Sequence, residues 1–550
     1  MTIKIYKGTD EIGGSCIELK TKNTTILLDY GTPLQGTSEQ VKITDNIDAI
    51  LISHPHQDHF GEIINIENTT PIYCGKLSLE LMNATKIFTG NEILENNFQL
   101  FEAWKSFKIG DFKVTPYLVD HSATDAYAFL IESDNKKVLY SGDFRANGRK
   151  SKLFANMIND KNLKNIDVLL MEGTMIQRSN EDFPDEQSVE DKIFETIKDS
   201  DLISFMIGSS QNIDSIVSAY RACKKAKKIF VIDIYTAWIL EKMKIASSNI
   251  PNMNWDSVKV IKKFGGNYYK KLQDNKDYFN SFTSEVFNNI VEIDDIKENP
   301  QNYFLKISPW HIDKVLNYIE VDNSYIIYSQ WLGYLKEEFS DSKTVELFKN
   351  LQNNNNWVYA HTSGHADLKA LKIFAGSLAP KKLIPIHTEY KKEFAEHFDN
   401  VMVLDDNESF DINDDKLSFR QVNELNQLFK DDFFDENETI EEWIGIDLDG
   451  TFAHYDGIWR GVEHIGEPIK PMIDFVKGLV SQNKRIKIFT AHAKNPKTIP
   501  YIYKWLEEQE LPKFEITNEK DFGMIMLYDD RCIQVVTNSG KMIEKIKYGE

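Results

Sequence analysis

Short apolar and β-branched runs, each ended by a turn, dominate the first part of the chain: IKIYKG, SCIELKT, TTILLDYG, AILIS, PIYCG, FKVTPYLV, AYAFLIES, KVLYSGD and VLLMEGT. They read as strands, with helical segments between some of them, and predict sheets covered by helices. From about Gln187 the pattern lengthens to helical periodicity, interspersed with parallel-strand runs such as KKIFVIDIY. Around NNWVYAHTSGHA and KKLIPIHTEY the chain returns to short strands that end in potential ligands. That sequence of patterns predicts a second domain inserted into the first: core 1–185, insert 186–355, core again 356–425. The stretch NQLFKDDFFDENETIEE is acidic and lacks a strong apolar period, which predicts a linker over 426–441. WIGIDLDGTFAHYDG then opens a fresh strand and a small α/β unit over 442–550.

At 550 residues the chain exceeds one ordinary core, and 41% apolar with 27% charged residues is globular composition. The formal charge of −21 repels nucleic acid, so a polyanionic substrate would need a locally basic groove. Between Gln211 and Lys271, Lys and Arg strongly outnumber Asp and Glu, most densely in RACKKAKK and KKFGGNYYKK. The insert is therefore the expected wall for a nucleic-acid strand, with Tyr268 and Tyr269 as candidates for base stacking. Four scattered cysteines form no CxxC pair, which argues against a disulfide framework or a thiolate metal site and for a reducing compartment. The beginning of the chain lacks the apolar region of a signal peptide, and no apolar run approaches a membrane span of roughly 18 residues. A cytoplasmic protein with no membrane partner is expected.

The stretch LISHPHQDHFGE puts His54, His56, Asp58 and His59 directly after the apolar run AILIS. In extended backbone, residues i and i+2 point the same way, so His54 and His56 can reach one metal ion together; Pro55 favours that backbone. Asp58 and His59 follow where the chain turns and can face a second ion. Imidazoles, a carboxylate and open positions suit a catalytic zinc-type site. A lone histidine in a loop is ordinary, whereas HxHxDH behind a strand is a closed ligand spacing.

SHPHQDH resembles the signature of the metallo-β-lactamase fold, and four further signatures stand in order with it: Asp29 in ILLDYG, His121 in VDHSATD, Asp143 in YSGDFR and His387 in IPIHTEY. The resemblance implies an αββα sandwich in which His54, His56 and His121 hold one divalent metal. Asp58, His59 and His387 hold the other, Asp143 bridges both, and Asp29 orients the histidine loop. Zinc is expected, with manganese the alternative. LLMEGT (Glu172), HTSGHA (His365) and PIHTEY (His387) resemble the three extra motifs of the β-CASP nucleases, which carry an inserted domain between the Glu motif and the two His motifs. HTSGHADLKALKIFAGSLAPKKLIPIHTEY is similar to the bacterial and archaeal ribonuclease J type. In that group a histidine at the last motif accompanies RNA substrates and a valine accompanies DNA. The implied chemistry is hydrolysis of a phosphodiester by water activated between two metals, its pKa falling from about 15.7 toward 7. His365 would protonate or stabilise the leaving 3′ oxygen and Glu172 would hold its ring, giving a 5′-phosphate and a 3′-hydroxyl. Ser209 and Ser210 in GSSQNID, with Ser363, are candidates to bind a terminal phosphate. The ribonuclease J type tends to dimerise; here a different C-terminal domain stands in place of its own, which leaves a homodimer open.

In WIGIDLDGT, two carboxylates at i and i+2 end a strand, so one can attack phosphorus while the other protonates a leaving group. The segment from Glu442 resembles the haloacid dehalogenase (HAD) phosphatases, a small Rossmann-like fold. That resemblance implies Asp447 as nucleophile, Asp449 as acid/base, and Thr490 in IKIFTAH as a phosphate ligand. Lys520 is the cationic residue, with Lys494 its rival, and Asp529 and Asp530 hold Mg²⁺ together with Asp447. About 40 residues separate the first two motifs, which leaves no room for a large cap and predicts an open cleft.

The expected protein is a metal-dependent ribonuclease with a fused phosphatase acting on nucleic-acid end phosphates. The alternatives are a DNA nuclease in repair or defence, and a small-molecule metallo-hydrolase with a HAD-like binding or regulatory module.

Overall fold

The computed structural model describes residues 1–550 except 35–40, 42, 44–45, 179–181, 262–267, 321–322, 338–339, 414–441, 459, 496, 522–523 and 530–550. The chain divides into two compact units, Met1–Asn423 and Glu424–Glu550. The expected linker over 426–441 lies outside the described residues.

Two sheets form the core of the first unit. One runs, in spatial order, Ser409–Asp411, Thr2–Lys7, Cys16–Lys20, Thr25–Leu28, Ala49–Leu51, Ile72–Gly75 and Phe98–Phe101; the other runs Lys382–Ile386, Val168–Glu172, Lys136–Tyr140, Tyr127–Ser133, Phe112–Leu118 and Phe107–Ile109. Their inner faces share one apolar core that includes Ile3, Ile17, Leu28, Phe112, Phe129 and Leu170. Strand alternation sends the other residues outward, where helices cover them. The helix Leu368–Leu378 shows why. Asp367 caps it by accepting from the Ala370 amide at 2.8 Å, and Leu371, Phe374, Ala375 and Leu378 lie on one face against the second sheet. The arrangement is helix, sheet, sheet, helix.

Between these halves runs a separate seven-stranded parallel sheet: Ile290–Val291, Val258–Ile261, Ile229–Ile232, Tyr303–Ile307, Ile203–Ile207, Ser324–Tyr328 and Trp357–Tyr359. Apolar clusters cover both faces, as an all-parallel sheet requires. Its last strand reaches Tyr359, so the insert sheet extends past the expected return to the core at 356. The sequence put that return too early because strand and ligand motif abut without a turn.

The C-terminal unit holds a four-stranded parallel sheet in the order Glu515–Thr517, Ile486–Phe489, Trp443–Asp447 and Met524–Tyr528, with helices Lys470–Ser481 and Ile499–Glu508 packed on it. Among the described residues, no helix of either unit is long and apolar enough to cross a membrane.

Phe129 is fully buried between the two core sheets, near Phe101 and Tyr140. Phe129→Ala is expected to cost about 3–5 kcal/mol of stability, measured as a lowered denaturant midpoint of the first unit.

Candidate metal centre

Strand carboxyl ends from both core sheets meet at one edge of the sandwich. Thr25–Leu28 leads into Asp29, and Ala49–Leu51 into Ser53 and His54. On the facing sheet Phe112–Leu118 leads to His121, Lys136–Tyr140 to Asp143, and Lys382–Ile386 to His387, while Val168–Glu172 ends on Glu172 itself. Donors up to 333 positions apart in the chain therefore converge.

Asp29 stands behind the histidine loop. Its carboxylate is fully buried and accepts from the Ser53 amide (2.6 Å), the Ser53 hydroxyl (2.7 Å), the Tyr140 hydroxyl (2.5 Å) and His59 Nδ1 (2.7 Å). Because Nδ1–H donates there, His59 presents Nε2 to the cleft. In the same way His121 donates Nδ1–H to the Gly364 carbonyl at 2.6 Å and presents Nε2, which lies 3.3 Å from His56 Nδ1. His54 Nε2 lies 3.1 Å from that same His56 atom. A side chain on Gly31 would put its Cβ 1.6 Å from the Asp58 carbonyl oxygen, so only glycine lets the loop pass this close.

Two donor groups result. His54, His56 and His121 form one, and Asp58, His59 and His387 the other, with donor atoms within 4.8 Å of one another in each. Asp143 lies between them, 3.6 Å from His54 Nε2, 3.1 Å from His59 Nε2 and 3.7 Å from His387 Nδ1. Both Asp143 carboxylate oxygens and His59 Nε2 are buried without a hydrogen-bond partner. A buried carboxylate left in that condition is costly unless a cation satisfies it, so the residues fit metal ions of the zinc or manganese kind.

The electrostatics agree. Burial first, and then neighbouring imidazoles, hold His54 and His121 well below the usual histidine value, and burial holds His56 down to about 4, leaving neutral rings with lone pairs. For His59, burial pushes down but the carboxylates of Asp143, Asp29 and Asp58 overcome it and raise the ring. Asp143 is depressed against burial by His387, His59 and His365.

Beside the donors, Glu172 is fully buried; one oxygen accepts from the Phe144 amide at 3.0 Å and the other lies 3.0 Å from His365 Nδ1. Burial opposes charge on His365, but Glu172 and then Asp143 raise it to about 9. Ser363 Oγ accepts from the His365 amide at 3.1 Å. Ser209 Oγ accepts from the Gln211 amide at 3.2 Å. Ser210 is 3% exposed, and its hydroxyl lies in a network with Lys306, Thr236 and Ser308.

Two features of this site escaped the sequence reading. Arg145 is fully buried and donates to Asp120, Glu186, Asp214 and the Ser363 carbonyl. Thr174 Oγ1 lies 2.9 Å from His387 Nδ1. In the segment expected to form a basic wall, Asp214, near the start of helix Ile213–Lys225, bonds to Arg145, which places Lys224 and Lys225 at the far end of that helix, about 15 Å away. Lys225 pairs with Glu190, Lys242 with Glu80, and Lys228 is buried on backbone carbonyls. Tyr268 is 9% exposed and packs on Phe88, so it belongs to the core. Residues 262–267 of KKFGGNYYKK lie outside the described residues.

In the second unit, Asp447 ends Trp443–Asp447, Thr490 follows Ile486–Phe489 and Asp529 follows Met524–Tyr528, at the same edge of adjacent parallel strands. Asp449 Oδ2 lies 2.9 Å from His492 Nε2, a contact the sequence reading did not anticipate. Lys520 and Lys494 are exposed, and Asp530 lies outside the described residues.

Because the folded His365 is raised above its unfolded value near 6.5, its contribution to stability is complete below that pH and is lost as pH rises through about 9. In metal-free protein the His365 ring is expected to titrate near 9 by NMR, and Glu172→Gln should move it down toward 6.5.

Comparison with known proteins places this geometry. Residues 24–230 match the beta-lactamase superfamily domain, and residues 358–403 match the Zn-dependent metallo-hydrolase RNA specificity domain. An RNase J-like protein of Methanocaldococcus jannaschii is 30% identical over 254 residues, 42% of this chain and 58% of the relative. The ribonuclease J of Mycoplasma genitalium is 21% identical over 431 residues, 70% of this chain and 68% of the relative. The chain spans 58% and 50% of the length of two Methanocaldococcus jannaschii relatives that it matches. A crystal structure of a protein of unknown function from Enterococcus faecalis aligns with a TM-score of 0.59 at 18% identity, covering 74% of this chain and 99% of that one. Both family matches fall within the first unit, whose helix, sheet, sheet, helix arrangement fits the metallo-β-lactamase fold and whose site fits metal ions.

Proposed function

We propose that the first unit is a metal-dependent ribonuclease of the β-CASP, ribonuclease J-like kind. The observation that carries the reading is the pair of donor groups joined by Asp143, with the buried Glu172–His365 pair beside them. His54, His56 and His121 would hold one ion and Asp58, His59 and His387 the other. The ions would supply Lewis acidity toward a phosphodiester and toward water. The chain's own residues do the rest. Asp29 and Thr174 fix the rings of His59 and His387. Glu172 keeps the proton on His365 Nδ1, so that Nε2 is the atom that exchanges a proton with the leaving oxygen. RNA is favoured over DNA by the match to an RNA specificity domain and by the ribonuclease relatives.

The second unit is proposed as a HAD-like phosphatase acting on nucleic-acid end phosphates. Its support is the parallel sheet with Asp447, Thr490 and Asp529 at one edge. Asp447 would attack phosphorus and Asp449 exchange the proton, with Thr490 and Lys520 on the phosphate. Mg²⁺ would sit among Asp447, Asp529 and Asp530.

End-labelled RNA bearing a terminal phosphate, incubated with Zn²⁺ or Mn²⁺ and with Mg²⁺, separates the two activities. Asp58→Ala is expected to lower strand cleavage at least a hundredfold and spare phosphate release, and Asp447→Asn to do the reverse. Cleavage by the Asp58 variant at the wild-type rate would refute the assignment of the first site; absence of phosphate release from the wild type would remove the phosphatase.

A further inference from the structure

Beside the metal centre, the insert presents aromatic surface that the proposed chemistry does not use. The strand Ser324–Tyr328 is followed by a short 3-10 turn, Leu332–Leu335, capped by Trp331 just before it. A chain of contacts ties this turn to the site. Thr174 holds His387, and four residues on, Arg178 pairs at 2.9 Å with Glu389, itself two residues beyond His387. The Arg178 guanidinium lies over the Trp331 ring at 4.5 Å, and Trp331 meets Tyr334 edge-on at 5.4 Å. Burial first, and then the Asp58 carboxylate, push Tyr334 up to about 12.

The turn is shaped to hold the rings there. A Cβ on Gly333 would come within 2.2 Å of the Trp331 ring, so glycine lets the indole fold across the turn. Leu332 and Tyr334 nonetheless remain 40% and 39% exposed. Trp331 itself is partly buried, with the Arg178 cation over its ring, while Tyr334 is exposed; an aromatic pair of this kind near a site for a phosphodiester has the makings of a base-stacking surface. In the lysine stretch expected to grip the strand, Lys225 pairs with Glu190 and Lys228 bonds to backbone carbonyls, so these two cations are already engaged within the protein.

We propose that Trp331 and Tyr334 form a stacking platform for one nucleobase next to the phosphodiester held at the metal centre. The inference rests on the nuclease reading of that centre and adds what positions the substrate. A base on the platform fixes the nucleotide beside the scissile bond without reading its identity, because every base offers a π-face.

The test uses the full chain loaded with Zn²⁺ or Mn²⁺ and short end-labelled oligoribonucleotides with a single abasic site moved along the strand. The readout is the ratio of cleavage rates, intact over abasic, at bonds flanking that site; partial misfolding of a variant cancels in this ratio. For the wild type the ratio is expected to reach about tenfold at one position. It should fall to about one in Tyr334→Ala and in Trp331→Ala, and persist in Tyr334→Phe. Intact RNA left uncut by the metal-loaded wild type would sink the nuclease reading and the platform with it. If intact RNA is cut, a wild-type ratio within twofold of one at every position overturns the platform alone, as does an unchanged ratio in both alanine variants.

Discussion

A single buried carboxylate sets the geometry on which this protein's chemistry depends. Asp29 takes four hydrogen bonds, two from Ser53 and one each from Tyr140 and His59. They join the two sheets, since Asp29 and Ser53 follow strands of one and Tyr140 ends a strand of the other. Asp29 adopts a left-handed backbone conformation with φ of +58°, as does His387 at +49°. For a non-glycine residue such a conformation costs about 1–3 kcal/mol, and it persists only where surroundings over-determine it. Charge-assisted hydrogen bonds in a dry interior are that surrounding.

Arg145 performs a related task between core and insert. Asp120 adjoins His121, Arg145 itself lies two residues past Asp143, and Ser363 lies two residues before His365. Glu186 and Asp214 belong to the insert's helices. One guanidinium thus ties three site segments to two helices. Removing a partner from such a buried ionic cluster typically costs about 3–5 kcal/mol, because the remaining charges lose their counter-ions. The position of the insert and the shape of the metal centre are therefore mechanically linked.

Neutral histidines gather at one donor group, while His59 and His365 are driven toward protonation by carboxylates. Low-dielectric burial disfavours charge everywhere; at His59 and His365 the facing carboxylates of Asp143, Asp29 and Glu172 outweigh it, whereas at His54 the neighbouring imidazoles add to it. Cations of the insert such as Lys228 and Lys225 are already engaged, by backbone carbonyls and by Glu190, whereas the Tyr334 ring is left exposed.

Much of this was legible in the linear order of residues. The strand before SHPHQDH, the i, i+2 spacing of His54 and His56, and the return to strand-and-ligand segments near His365 and His387 follow from local periodicity, which a sequence carries directly. Arg145, Thr174, the Asp449–His492 contact and the Trp331–Tyr334 turn were not legible, because their partners are remote and an arginine or a tyrosine has no local signature of what it will touch. The partners of the lysine-rich stretch were not legible for the same reason: charge density along a chain does not say at which end of a helix it will lie, or which carboxylates will meet it. The sequence by itself determined the donor types and the alternation of strand and helix, since those depend on neighbours a few positions away. Only the tertiary structure decided which donors share a cavity and which cations remain unspent, since those depend on burial and on contacts between segments hundreds of residues apart.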